Sequence, residues 1–179
     1  FKFTFFSNDK DILIFLLGSL SFFLVGFVDD KFNLRPNFKL FIYIIITLIL
    51  TITDKDLLIQ NINFTFYNTN VYFYSFSYFF TVLCFLLFIN SFNMLDGING
   101  QAASYAIFIA LIMIFLKINM LFFIGLIIPI TLFLYFNFND KMFLGDSGSI
   151  LLGFLISYYF IKSYNQGADI YSDEIFLIM

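Results

Sequence analysis

The sequence predicts an all-α membrane protein, a multi-pass transmembrane helix bundle of about six spans with a small β-hairpin outside the bilayer. Three observations carry that expectation. Of 179 residues, 61% are apolar and 12% charged, and mean hydropathy is +0.96, a balance that ordinary water-soluble domains do not show. The apolar residues gather into six runs, the first two near the short end of the ~17 to 25 residues that cross a bilayer. One interval, 54 to 74, breaks instead into short alternations.

In chain order, helix A is expected from Ile12 to about Val28 and helix B from about Phe38 to Thr53. Between them, Asp29 to Asn37 reads as a charged loop punctuated by Pro36. Asn61 to Phe66 and Val71 to Phe73 alternate around Asn68-Thr69-Asn70, a hairpin pattern. Helix C follows from Ser75 to about Ile89, helix D from Ala102 to Leu116 and helix E from Leu121 to Phe136, with Pro129 expected to kink it. Lys117 and Asn119 mark the turn between D and E. Asn137 to Ser149 reads as a third polar loop, and helix F as Ile150 to Ile161. Residues 1–179 read as a single transmembrane catalytic domain, and the start at Phe1 and the apolar Ile175 to Met179 suggest a piece truncated at both ends.

Composition also excludes several classes. There is no His, so a metal site would use oxygen ligands, which favours Mg2+, Mn2+ or Ca2+ over Zn2+. The single cysteine, Cys84, rules out an intrachain disulfide and reads as a small buried hydrophobe. A net charge of -3 gives no footprint for nucleic acid.

Three polar motifs stand against this apolar background. Asp29-Asp30 places two carboxylates at a helix end, where they repel unless a cation or a raised pKa relieves them. Asn90 to Gly100 closes helix C, and Asn90, Asn93 and Asp96 would share one side if the helix reaches them. Gly145-Asp146-Ser147-Gly148-Ser149 precedes helix F, whose N-terminal amides favour an anion. Asp146, Ser147 or Ser149 could cap that helix, although Ser149 and Gly153 also form a small-xxx-small packing pair. If every helix crosses once, the loops after A, C and E emerge on one face. Lys31, Arg35, Lys39 and Lys141 lie on that face against Lys2, Lys10, Lys55, Lys117 and Lys162 opposite, so charge bias does not orient the bundle.

These motifs resemble the polyprenyl-phosphate N-acetylhexosamine-1-phosphate transferases, glycosyltransferase family 4. The matching stretches are Gly26 to Asp30 with Leu34 and Lys39-Leu40, then Asn90 to Gly100, then Phe143 to Ser149 with Leu152-Gly153-Phe154. Asn93 to Gly97 and Phe143 to Asp146 are similar to the undecaprenyl-phosphate GlcNAc-1-phosphate branch. The muramoyl-pentapeptide branch, marked by a His-rich loop beyond Met179, is the alternative within the family. The resemblance implies transfer of N-acetylhexosamine-1-phosphate from a UDP-sugar to undecaprenyl phosphate, releasing UMP, to start cell-wall or O-antigen synthesis. It implies a bacterial inner-membrane enzyme whose site faces the cytoplasm, with Mg2+ (or Mn2+) as cofactor, and it allows a homodimer.

By the same resemblance, Asp29 would be the base or phosphate-positioning acid and Asp30 its partner. Asp146 would be the principal metal ligand with Asp96 as a second. Asn93, Asp96 and Asn99 would line the nucleotide side, with Asn137 and Phe143 for hydrogen bonding and base stacking. The family commonly has Asp where this chain has Asn99, which removes a charge. Two readings from other classes stand beside this one: an ion-coupled transporter, since intramembrane acids also mark ion paths, and a remnant that only packs with other helices.

Overall fold

The helix at the centre of the bundle is one whose composition is not lipid-like. The computed structural model describes Phe6, residues 8–64 and residues 69–166. Within them the helices are α1 (Asp9–Phe32), α2 (Pro36–Thr53), α3 (Ser77–Leu95), α4 (Gln101–Phe115), α5 (Met120–Asn137) and α6 (Gly145–Asn165). Four of these, α1, α2, α5 and α3 with the turn before it, are long and apolar enough to cross a membrane. Helix α4 is apolar but only 15 residues long. Helix α6 is buried from Ser149 through Ser163 apart from Leu151. Surrounded by protein, it can carry Ser157, Lys162 and Ser163 that a lipid-facing helix would not hold cheaply.

Small residues and aromatic rings set how closely the other helices approach α6. A Cβ on Gly26 of α1 would lie 2.5 Å from the Ser147 Cα of α6, so only glycine permits that crossing. A Cβ on Gly153 would lie 2.8 Å from the Ile89 Cα of α3, which bears out the packing reading for Gly153. Phe22 of α1 stacks on Phe154 of α6 at 4.7 Å between centroids, and Phe15, Tyr158 and Tyr159 extend this aromatic core. Cys84 is a free, half-buried thiol packed against it.

The connections follow the sequence closely, with two corrections. Strands β1 (Asn61–Phe64) and β2 (Thr69–Tyr72) pair antiparallel with Asn63 opposite Asn70. Thr69 and Asn70 are therefore strand residues and not the turn, and Asn68 lies outside the described residues. Lys117 and Asn119 take positive φ in the turn from α4 to α5, and Pro129 lies inside an unbroken α5. The second correction concerns helix boundaries at the motifs. Asp29 and Asp30 sit in the last turn of α1, which ends at Asn33 in the left-handed conformation. The Gly145 to Ser149 motif is the first turn of α6 and not a loop before it.

Candidate active site

The C-terminal ends of α1 and α3 and the N-terminal ends of α2 and α6 meet at one end of the bundle, which brings the three motifs together as the parity of crossings requires. Asp29 and Asp30 are adjacent on α1, so their side chains leave the helix about 100° apart and serve different neighbours. Asp29 is buried at 6% exposure. Its Oδ1 accepts a hydrogen bond from the Leu34 amide at 2.7 Å, and its Oδ2 accepts one from Lys39 Nζ in the first turns of α2. The same ammonium donates to Asp146 Oδ2 at 2.6 Å. Asn93 completes the set: with its amide oriented to match its neighbours, its oxygen accepts from Lys39 Nζ at 2.8 Å and its nitrogen donates to Asp146 Oδ1 at 3.2 Å.

Amides at the start of α6 are occupied by a side chain from another helix. Asp30 Oδ1 accepts from the Asp146 amide at 2.7 Å and Oδ2 from the Ser147 amide at 3.0 Å. The Asp96 carboxylate at the end of α3 stands near the Gly145 amide. Gly145 itself has φ +66, and a Cβ there would lie 3.0 Å from both Asp30 oxygens. This corrects two expectations. Asp30 caps α6 from outside it, whereas Ser149 only donates to the Asp146 carbonyl at 3.4 Å. Amides expected to receive a substrate anion already hold a carboxylate of the protein's own.

Asp96 is the group most affected by this crowding. Burial first, then the negative charges of Asp146 and Asp30, push its carboxyl up to about 6 against the opposing influence of the Gly145 amide. The remaining sequence candidates are more dispersed. Asn99 Nδ2 donates to Asp140 Oδ1 at 2.8 Å on the connection from α5 to α6. Asn137 is buried and donates to the Met142 carbonyl at 2.7 Å, while its Oδ1 has no hydrogen-bond partner. Phe143 is 73% exposed, with an open ring face.

Sequence reasoning assigned no role to Lys39, although it falls in one of the matching stretches. The signal was its position, a lone cation ten residues after Asp29 at the start of an apolar helix. Tyr43 was also missed. It follows Lys39 by four residues on the same face of α2, is 1% exposed, and its hydroxyl has no hydrogen-bond partner.

The donor chemistry suits a hard cation. Asp29 and Asp146 share the Lys39 ammonium, and Asp30 and Asp96 add two carboxylates beside them. Among the described residues, no set of three or more His, Cys, Asp or Glu is arranged to hold a metal by itself. Mg2+ has no need of such a set, since it usually takes one or two carboxylates together with substrate phosphates and waters.

A family model described as glycosyl transferase family 4 matches residues 12–164. The chain is 32% identical over 173 residues to the phospho-N-acetylmuramoyl-pentapeptide-transferase of Dictyoglomus turgidum, an alignment covering 88% of this chain and 52% of that protein. It is 29% identical to the undecaprenyl-phosphate alpha-N-acetylglucosaminyl 1-phosphate transferase of Thermotoga maritima, over 80% of this chain and 43% of that one. The Escherichia coli protein of the same name is 27% identical, over 78% and 41%. The chain thus spans about half the length of the curated relatives it matches. A match covering all six helices, and with them the Lys39-centred carboxylate cluster, establishes that the chain belongs to glycosyl transferase family 4.

Proposed function

We propose that the full-length protein transfers N-acetylhexosamine-1-phosphate from a UDP-sugar to polyprenyl phosphate in a bacterial cytoplasmic membrane, with the site on the cytoplasmic face. The observation that carries this reading is the convergence of Asp29, Asn93 and Asp146 on Lys39 at one end of apolar helices. The names of the relatives in both branches of the family support the reaction class. A lipid phosphate is confined to the membrane surface, and a polar site at helix ends meets it there. An ion-coupled transporter would place its acids near the bilayer midplane in broken helices, an arrangement unlike this one.

In this reading an oxygen of the lipid phosphate attacks the β-phosphorus of the UDP-sugar. A new P–O bond forms, the bond from that phosphorus to the bridging oxygen breaks, and UMP leaves with the bridging oxygen. The nucleophile is already an anion, so the protein's work is positioning and charge neutralisation. Asp146, with Asp96 beside it, would hold Mg2+, which supplies positive charge to the diphosphate. Asp29 orients Lys39 and limits where the lipid phosphate can approach. Asp30 acts one step removed, by fixing the first turn of α6 and with it the direction of Asp146. Asn93 is placed to hydrogen-bond the nucleotide side, and the open Phe143 ring to stack on a base. Asn99, tied to Asp140, belongs to the rim in this scheme, on the nucleotide side and outside the metal shell. The sugar we favour is N-acetylglucosamine, the branch that Asn93 to Gly97 resembles.

The test is UMP release by the purified full-length protein in lipid vesicles. Release should require UDP-N-acetylglucosamine, polyprenyl phosphate and Mg2+ together, and should leave a lipid-linked sugar diphosphate. Release of free sugar phosphate without the lipid acceptor, or no reaction with any UDP-N-acetylhexosamine, contradicts the proposal.

A further inference from the structure

We propose that Lys39 is a tethered counter-cation that competes with a divalent ion for the Asp146 carboxylate, and so makes metal binding depend on the nucleotide. The metal itself belongs to the transferase reading above; the competition is a property of the cluster.

The ammonium of Lys39 meets three oxygens from three different helices: Asp29 Oδ2, Asp146 Oδ2 at 2.6 Å and the Asn93 oxygen at 2.8 Å. An ammonium has three N–H donors, so these acceptors use all of them. The other oxygen of Asp29 takes the Leu34 amide, and the other oxygen of Asp146 takes the Asn93 amide. All four carboxylate oxygens are therefore engaged. The Lys39 side chain is only 15% exposed, which holds the charge inside the cleft. A bare divalent ion binding Asp146 Oδ2 would stand a few ångströms from this ammonium, and like charges at that separation oppose binding by more than about a factor of ten. A nucleoside diphosphate brings negative charge and ligand oxygens of its own, which offsets the repulsion. Metal and nucleotide should then bind with positive cooperativity.

The experiment is an Mn2+ titration followed by electron paramagnetic resonance on the full-length protein, with and without UDP and corrected for Mn2+ bound by UDP alone. Without nucleotide, Lys39→Gln should bind Mn2+ at least about tenfold more tightly than wild type, since a like charge has been removed. Lys39→Arg, which keeps the charge, should not. Adding UDP should tighten Mn2+ binding in wild type by a larger factor than in Lys39→Gln, and adding Asp146→Asn to Lys39→Gln should abolish the gain. Equal or weaker Mn2+ binding by Lys39→Gln, or no bound Mn2+ in either protein, overturns the proposal. If Lys39→Gln does not fold, the wild-type arm decides alone, because Mn2+ affinity indifferent to UDP also overturns it. None of these readouts needs turnover, so an active transferase without competition and a competing site without activity are distinct results.

Discussion

The two ends of α6 carry similar chemistry, a lysine shared by two carboxylates, at different depths of burial. At the far end, about 24 Å along the helix from Asp146 at 1.5 Å per residue, Lys162 is fully buried and its Nζ lies 2.7 Å from Asp54 Oδ2 and 3.5 Å from Asp11 Oδ2. The Tyr158 hydroxyl donates to the same Asp54 oxygen at 3.2 Å, and the Asp56 amide donates to Asp54 Oδ1 at 3.0 Å. This cluster ties α6 to the end of α2 and the start of α1. At the near end Lys39 is shared by Asp29 and Asp146 with Asp30 and Asp96 close by, Asp96 has a raised pKa, and the Asp146 side chain is 32% exposed. The far cluster is closed, with Lys162 and Asp54 both buried, which suits a structural lock. The near cluster keeps surplus negative charge within reach of solvent, which suits a site that still has a cation and a ligand to receive. Sequence distance from a motif therefore does not separate the two kinds of charge cluster here; burial and surplus charge do.

That contrast makes predictions of different sizes. The largest belongs to the lock. Lys162→Met leaves Asp54 buried without its cation and should destabilise the fold by about 3 to 5 kcal/mol, while adding Asp54→Leu should recover most of the loss. Unfolding in mild detergent measures both, and a loss below about 1 kcal/mol would mean the far end is not closed to water. Next comes Asp30, which holds two amides of α6. Asp30→Ala should cost about 1 to 2 kcal/mol and speed hydrogen exchange of the Asp146 and Ser147 amides; unchanged exchange there would remove its capping role.

The smallest effect is a pH dependence at Asp96. Its carboxyl is raised from 3.8 to about 6 in the fold, so the folded state binds its proton more tightly than the unfolded chain does. The favourable contribution from that proton is complete below the unfolded value and lost as pH rises through about 6. Asp96→Asn should therefore stabilise the protein modestly at pH 7.5, and the gain should shrink as pH falls through 6 towards 4. A gain independent of pH would show that crowding by Asp146 and Asp30 is not its source.

Much of this arrangement was legible in the sequence. Six apolar runs gave the helices, alternation gave the hairpin, and the parity of crossings brought the three motifs to one face. What was not legible were the contacts made across helices. Gly145, Ser147 and Gly148 are poor helix formers by local propensity, so the run read as a loop; the carboxylate that caps α6 there comes from α1. Asp29-Asp30 read as part of a loop because charges end apolar runs, yet α1 continues until Asn33 adopts the left-handed conformation. Asp30 was assigned as the partner of Asp29 by resemblance, and its bonds to the Asp146 and Ser147 amides were not visible in the sequence. Lys162 read as a charge outside the bilayer, since nothing local signals the Asp54 and Tyr158 that bury it.

The most direct measurement compares Asp146→Asn with Lys162→Met in one preparation of the full-length protein, recording unfolding free energy and UMP release for each. In the proposed reaction the surplus charge at the near end receives the cation. Asp146→Asn should therefore lower turnover by on the order of a hundredfold or more with stability unchanged or slightly raised. Lys162→Met should lower stability, with turnover per folded molecule nearly intact. Retention of more than about a tenth of the wild-type turnover by Asp146→Asn, or a stability loss matching that of Lys162→Met, would contradict the division between the two ends of α6.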